Sequence, residues 1–562
     1  MNIMSNFTPV LIVGAGPTGL SMAIELTRYG IPFRIIDKQI KPVMTSNALI
    51  AQTRTIELWD DQNLLSQALP RGNKITGFKF SANHHTIFHA DQQSLDGTHP
   101  FLLGISQHET ETLLIKNLRE QQVNIEMNIE LIDLQEEDNE INVTIAHANQ
   151  ETEIIKTNWL IACDGAHSII REKANMPFLG KKLKQHFVLA DIKIKPLHFS
   201  KDIQAFSSPA GPLIIIQFDQ DHARIIAEVT HDPDLSAATI LTQAQLKKIL
   251  TERCSIPLEF AEPVWTSGFW VQEKMVSAFR YHNIFFAGDA AHIHSPAGGQ
   301  GMNTGIQDAY NLAWKLAFVI QHKSSPAILD SYHQERYPVA KSVLRKTTFL
   351  TRIMTLHNPI LSCIRNFVFH QLGRIPIFCK TMFRNITQLD IHYKNSFLVK
   401  ECMHMQPGPT AGTRFIDVLY TNNAYLMDKV RGIKPCLLIF LGEHQAIDAI
   451  NLIVTSIKQQ YPEYINFILI HTQKEMPAWS ETTIYDENGL IHQHYQVKDL
   501  TFYFIRPDKY IGFRGQLTHQ AQLIDYLQQL FIAIHQVNTD PVNASNVRSG
   551  ESVESTIADT GK

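Results

Sequence analysis

The sequence predicts an α/β protein: a Rossmann-type domain, an antiparallel sheet inserted into it, and a smaller α/β unit towards the C-terminal end. Three observations predict it. A strand–turn–helix–strand unit of about 30 residues opens the chain, with Gly14-Ala-Gly-Pro-Thr-Gly19 as its turn. The stretch from about 185 to 275 turns strand-rich, as in Leu213–Phe218 and Arg224–Val229. After Pro407-Gly-Pro409 a new strand–helix–strand pattern begins.

In the opening unit Pro9-Val-Leu-Ile-Val13 is an apolar run too short to span a membrane or form a signal core, and it reads as a buried strand. The helix runs through Leu20, Ala23, Ile24 and Leu26 and stops at Tyr29-Gly30, and Phe33-Arg-Ile-Ile-Asp37 is the second strand. A helix is expected over 109–120, strand segments near Val123–Ile129 and Ile141–Ile145, and a buried strand at Trp159–Ala162. The first domain resumes at Asn283-Ile-Phe-Phe-Ala287. Helices rich in Leu, Ile and Phe fill about 343 to 395, and their apolar residues are expected on a packed interdomain or dimer face rather than a membrane surface. In the last unit 435–441 and 467–470 are strands, 447–459 is a helix, two strands flank Arg506-Pro-Asp508, and a helix runs from 517 to about 532. This order resembles a thioredoxin fold lacking its redox cysteines. The tail from about Asn538 has no periodicity and a Ser/Asn/Thr/Glu-rich composition, so it is expected to be disordered.

The 562 residues exceed what one core holds, and composition excludes several classes. Lys+Arg number 50 against Asp+Glu 54, a net charge of −4, so no polyanionic partner such as nucleic acid is expected. Six scattered cysteines without a CxxC pair argue against structural zinc and a disulfide framework and suit a reducing cytoplasm.

Three clusters carry the chemistry. Gly14 permits the tight turn, Gly16 lets backbone N–H groups approach a pyrophosphate, and Gly19 allows close helix–strand packing. Asp37, about 20 residues on, is placed to accept from ribose hydroxyls. The second cluster is Ala287-Gly-Asp-Ala-Ala-His292 followed by Ile293-His-Ser-Pro-Ala-Gly-Gly-Gln-Gly-Met-Asn303. An aspartate (Asp289) in a strand-end turn beside Gly288 suits a polyhydroxyl chain. Gly298-Gly-Gln-Gly301 leaves backbone bare beside a flat ligand, and the helix that follows favours negative charge there, as on a reduced flavin. The third cluster, Cys163-Asp-Gly-Ala-His-Ser-Ile-Ile-Arg171, ends another strand with Asp164-Gly165. His292 and His294 form an HxH pair, but nothing completes a metal set, so no metal is expected.

Together these motifs, in this order over residues 8 to 535, resemble the class A flavoprotein monooxygenases, within them the phenol hydroxylase-like group. The resemblance implies an aromatic hydroxylase using FAD, NADPH or NADH, and dioxygen through a flavin C4a-hydroperoxide. Asp289 would contact the ribityl chain, and Asp164-Gly165 would lie by the pyrophosphate and serve NAD(P)H use. Arg54, in Gln52-Thr-Arg-Thr-Ile-Glu57, would contact FAD, and Gln107, in Ile105-Ser-Gln-His-Glu-Thr-Glu111, would be the flavin-side glutamine. Gly301, Met302 and Asn303 belong to the flavin turn. Pro296, Gly299 and Arg54 are the expected catalytic positions, with the backbone around Pro296 facing the substrate. A cysteine-poor thioredoxin-like domain is a homodimer contact in that group.

The implied domains are an FAD-binding domain at 1–185 and 276–345, a substrate-binding β-sheet domain at 186–275, a helical connector at 346–404, the thioredoxin-like domain at 405–535 and the tail at 536–562. Two departures matter. Asp37 stands where many relatives have Glu. Ala48-Leu-Ile-Ala-Gln52 lacks the acid that phenol hydroxylases carry before the arginine run, so neither simple phenol nor a side-chain base is assigned. Two other readings stay open: oxidation of an isoprenoid or polyketide-like substrate, and a flavin-bound sensor without turnover. A halogenase is disfavoured because no WxWxI run occurs.

Overall fold

The computed structural model describes residues 6–41, 48–82, 85–91, 97–137, 139–194, 201–219, 221–237, 241–254, 259–295, 298–442, 447–474 and 479–533. Pro296 and the tail beyond 533 lie outside them.

The opening strand is Phe7–Val13, and Val10 to Ile12 are fully buried on both faces, as in a parallel sheet covered by helices. Pro17, whose missing N–H costs nothing at a helix start, begins the helix Pro17–Arg28; Gly30, at φ +66°, ends it in the left-handed conformation. The sheet order is Arg280–Tyr281, Ile284–Phe286, Thr152–Ala162, Phe7–Val13, Phe33–Asp37 and Glu126–Met127, and the hairpin Ile129–Glu137/Glu140–His147 pairs with the outer half of Thr152–Ala162. Register sets the level at which these strands end. Val13 pairs in parallel with Ala162 and with Ile36, and Ala162 with Phe286. Four neighbouring strands therefore stop together, and Gly14, Asp37, Cys163 and Ala287 leave the sheet on the same edge. The carboxyl ends of parallel strands are where α/β sheets bind ligands.

A second eight-stranded sheet runs His292–Ile293, Trp265–Val276, Phe178–Lys193, His222–Glu228, Leu213–Gln217, Asp202–Ser207, Gly77–Ala82 and His85–Asp91, with one parallel pair, Asp202–Ser207 on Gly77–Ala82. It is wider than the expected 186–275 segment. It starts at Phe178 and recruits the hairpin 77–91, whose Phe78, Phe80 and Phe88 pack as an aromatic group. Its edge strand His292–Ile293 comes from the second motif itself, so this sheet begins where the flavin-type turn ends.

The chain divides into two compact units. The first holds both of these sheets and residues 330–395. The second holds 315–329, 396–415 and the chain from 419 onward. In the second unit the order is Lys400–Glu401, Ile511–Gln516, Thr501–Ile505, Cys436–Phe440, Asn466–His471 and Thr482–Tyr485. Cys436–Phe440 runs parallel to Asn466–His471 and antiparallel to Thr501–Ile505. The helices Ile447–Gln460 and Gln520–Leu530 bury Ile450, Ile453, Ile457 and Leu523, Leu527, Leu530 at helical spacing. The strands at 400–401 and 482–485 carry no periodic run long enough to have been read from sequence. No helix among the described residues is long and apolar enough to cross a membrane.

Candidate functional site

The sequence motifs converge because their strands end together. A Cβ on Gly14 (φ +105°) would overlap the Cys163 carbonyl, and one on Gly19 the Gly14 carbonyl, so the first and third motifs touch through bare backbone. Gly16 differs: a Cβ there meets nothing within 4 Å. Its lack of a side chain keeps open space beside the N-terminus of Pro17–Arg28, room that protein packing does not require. The second motif closes on the first through Thr18, whose side chain occupies the space a Cβ on Gly288 or Gly305 would need. Arg171 ties the second to the third, donating to Ala290 O at 3.1 Å and Ala166 O at 2.9 Å with its guanidinium 3.8 Å over Phe178. Its burial lowers its pKa.

The three motif aspartates fare differently. Asp37 is held by the protein: it accepts the Ala15 N–H at 2.6 Å and the Gln39 N–H at 2.8 Å. One oxygen of Asp164 accepts the Ile170 N–H at 3.3 Å; the other is buried without a partner, and burial pushes this carboxyl up, only partly offset by Ser168 and backbone donors. Asp289 makes no hydrogen bond among the described residues. Its surface is open to solvent although protein atoms crowd it closely, the combination expected of a cleft wall. Burial raises its pKa and nearby His292 partly opposes this.

Beneath Asp289 lies a charge network that sequence reasoning missed. Asp308, fully buried, accepts the Gly288 N–H at 3.1 Å, His292 Nε2 at 2.8 Å and Arg336 Nε at 2.7 Å. Arg336 also donates to Thr304 O and to the Tyr393 hydroxyl, each at 3.1 Å. Burial alone would raise the Asp308 carboxyl; Arg336 and His292 outweigh it and hold it below its ordinary value. The network fixes the backbone of the Gly288–Ala290 turn and with it the aim of Asp289. His294 Nδ1 lies 3.0 Å from Ser295 O, and burial takes its pKa down to about 4, so the ring is neutral.

The second glycine run is pinned from the other side. Gly298 and Gly299 have φ of +91° and +60°, conformations that disfavour a side chain. Asn303 spends its whole side chain on this loop: Nδ2 donates to Ile50 O and Gly299 O, and Oδ1 accepts from the Gln52 N–H and Thr55 Oγ1, at 2.7 to 3.0 Å. Gln52 Nε2 adds a bond to Gly298 O at 2.9 Å. The Asn303 side chain therefore builds the turn. Among the described residues the N–H groups of Gly301, Met302 and Asn303 stand ahead of the first bond of the helix Gly301–Ile320, Thr304 N–H to Gln300 O, where a helix start leaves donors for a ligand. Arg54 is buried in Thr53–Asp61 and bonds Glu57 at 2.7 Å. Gln107, first residue of Gln107–Glu120 behind the cap Ser106, bonds Glu111 at 2.9 Å and carries the Ala48 N–H at 3.4 Å. Burial raises the Glu111 carboxyl, and Asp37 adds to the rise while Gln107 and His108 oppose it.

This donor set fits a flavin dinucleotide. Bare amides at two helix N-termini suit a pyrophosphate and an anionic ring edge, and an unpartnered carboxylate suits hydroxyls. Gly165, at φ +79° with open space around it, leaves a further bare edge.

Comparison with known proteins agrees. The family model described as FAD binding domain matches residues 7–347. The 6-methylpretetramide 4-monooxygenase of Streptomyces rimosus is 29% identical over 535 residues, 93% of each chain. The pentachlorophenol 4-monooxygenase of Sphingobium chlorophenolicum is 27% identical over 532 residues, 93% of this chain and 96% of that one. Among solved structures, an anhydrotetracycline hydroxylase from Streptomyces rimosus superposes with a TM-score of 0.74 at 25% identity, covering 93% of this chain and 99% of that one.

Proposed function

This chain belongs to the FAD binding domain family, as a flavoprotein aromatic monooxygenase, and we propose that it hydroxylates a phenolic ring of a polycyclic, polyketide-like substrate at the expense of NADPH or NADH and dioxygen. The observation that carries the reading is the convergence of Gly14–Gly19, Asp164-Gly165 and Gly288-Asp289 at one edge of the parallel sheet, with the Asp289 carboxylate unpartnered among the described residues.

Bound FAD supplies the transfer of electrons from nicotinamide to dioxygen and the delivery of one oxygen atom to the ring. The chain's own part is binding, orientation and exclusion of water. Gly16 and the amides behind it receive the pyrophosphate, Asp37 the ribose and Asp289 the ribityl hydroxyls. Arg54 and Gln107 flank the cofactor, and Asp164-Gly165 serves the nicotinamide nucleotide. Gly301, Met302 and Asn303 act through backbone N–H groups that favour negative charge at the flavin edge. Gly299 faces the substrate; Pro296, expected beside it, lies outside the described residues. Ile50, 3.8 Å from where a Gly299 Cβ would stand, belongs to a buried apolar cluster with Leu49, Ile75 and Phe383; such surroundings keep water from the reacting centre. The name of the 6-methylpretetramide relative favours a polycyclic ring system over the single ring named for the pentachlorophenol relative, and the absence of an acid in 48–52 counts against simple phenol.

The six-stranded order of the second unit supports a thioredoxin-like fold without dithiol chemistry, and the family resemblance extends to a homodimer held through it.

The test is a panel of phenolic and polycyclic aromatic compounds, scored for stimulated NADPH and NADH oxidation with hydrogen peroxide counted separately. At least one compound should accelerate oxidation about tenfold or more and gain one oxygen atom from labelled dioxygen. Failure of both nucleotides to reduce the flavin in stopped flow would favour the sensor reading instead.

A further inference from the structure

The helical segment after the flavin-type domain presents an outward face that the reaction does not use. In Pro359–Leu372 the residues Ile360, Leu361, Ile364 and Phe367 share one side at helical spacing, and Ile360 and Phe367 are 69% and 63% exposed. The next helix, Pro376–Ile386, adds Ile377 at 71%, and Asp330–Met354 adds Phe349 at 66%. A monomer leaves such a run uncovered only where something else covers it.

Charge identifies the cover. Between Glu335 and Asp390 the chain holds nine Lys and Arg and no Asp or Glu, within a protein of net charge −4. Two of the nine, Arg336 and Arg365, are buried, and Lys346 is paired with Asp390 at 2.7 Å. Arg345 and Arg352 are exposed and stand four and three residues from Phe349, on its side of the helix; Arg374 is exposed in the turn beside Ile375 and Ile377. Apolar side chains flanked by cations are the pattern of helices that lie in the interface of an anionic bilayer. A twofold contact between two copies would set this basic face against itself, which like-charge repulsion opposes.

The opposite side of the same helices belongs to the site. Phe369 packs edge-on against Phe80 and Phe88, and Phe383 is fully buried. Asn385 O accepts from Gln300 Nε2 at 3.2 Å, and Thr387 O from the Arg54 N–H at 3.4 Å. A surface seated on the outer face is therefore one helix layer from the glycine turn.

We propose that residues 345–377 form a docking face for an anionic lipid bilayer, from which an apolar aromatic substrate reaches the site. The docking stands on its own observations; the identity of what enters rests on the function proposed above.

Flotation of the FAD-loaded, full-length protein tests it. Vesicles of phosphatidylcholine alone are compared with vesicles of phosphatidylcholine and phosphatidylglycerol in equal parts. The protein should float with the mixed vesicles, stay below with the neutral ones, and be released by salt. Arg345→Ser with Arg352→Ser should weaken partitioning on the order of thirty-fold. Ile364→Ser with Phe367→Ser should abolish it while FAD content is retained; should that pair lose FAD, the exposed arginine pair decides. Absence from both vesicle fractions, or equal recovery with both, overturns the proposal. So does a concentration-dependent dimer, without flotation, that Ile364→Ser with Phe367→Ser dissociates. Flotation needs no turnover, so a protein that hydroxylates without floating contradicts the docking alone, and one that floats without oxidising nicotinamide contradicts the function alone.

Discussion

The turn after the first strand and the turn after Ile284–Phe286 resemble each other in sequence, each following a buried strand and each with glycine and an aspartate nearby, yet they are built to opposite ends. At the first, Asp37 is occupied by the Ala15 and Gln39 N–H groups, and the freedom lies in the backbone at Gly16, where a side chain would meet nothing. At the second, the backbone is braced: Gly288 N–H is taken by Asp308, and Thr18 fills the space beside Gly288. The freedom there lies in the side chain, the Asp289 carboxylate. One turn offers amides to an anion and the other offers an anion to hydroxyls. At the first turn Asp37 braces the loop as well as standing beside the ribose position, and at the second Asp289 is left to the ligand alone.

Glycine substitutions are the harshest way to break this comparison. Gly16→Val should remove FAD binding outright while the apoprotein keeps its far-UV circular dichroism and its melting temperature, because the added side chain enters ligand space only. Gly19→Val, one turn along the same helix, should fail to fold, since its Cβ would overlap the Gly14 carbonyl. Equal behaviour of the two variants, both folded and both binding FAD, would mean that the pyrophosphate lies elsewhere.

Next in size is the support under the second turn. Asp308→Ala leaves Arg336 buried without its carboxylate, a loss of about 3–5 kcal/mol, and the melting temperature should fall on the order of 10 °C. Retention of full stability would show that the network is incidental. The smallest effect is a pH slope. Burial lowers the His294 pKa from 6.5 to about 4, so the folded protein refuses a proton that the unfolded chain accepts. Its contribution to stability is complete above about 6.5 and is lost progressively as pH falls from there towards about 4. His294→Gln should flatten that part of the melting-temperature profile; an unchanged slope would place the titration on other groups.

What could be read from sequence was whatever chain neighbours determine. Gly14–Gly19, the helix stop at Gly30 and the strand ends at Asp37, Ala162 and Ala287 are local patterns, and each element lies within a few residues of its expected bounds. The hidden parts are contacts between segments far apart in the chain. Asn303 braces residues about 250 positions away at Ile50 and Gln52, and Arg336 reaches Asp308 from another helix. Nothing local marks Asp308 as more than one polar residue of an amphipathic helix. The width of the second sheet was hidden for the same reason, since residues 77–91 join it from outside the strand-rich stretch. The apolar residues of 343–395 were visible, but their period alone could not tell inward from outward, and residues such as Ile360 and Phe367 point out.

The central claim is that the Asp289 carboxylate is held unpaired for the cofactor, and one titration tests it most directly. Apoprotein carrying Asp289→Ala is titrated with FAD beside the unaltered protein, and the melting temperature of each apoprotein is recorded at neutral pH. Loss of charge-assisted hydrogen bonds worth about 1.5–3 kcal/mol should weaken FAD binding on the order of ten- to a hundred-fold. The apoprotein should melt no lower, because this carboxylate makes no hydrogen bond among the described residues and its surface is open to solvent. Unchanged FAD affinity together with a lower melting temperature would make Asp289 a structural member of its turn and contradict the account.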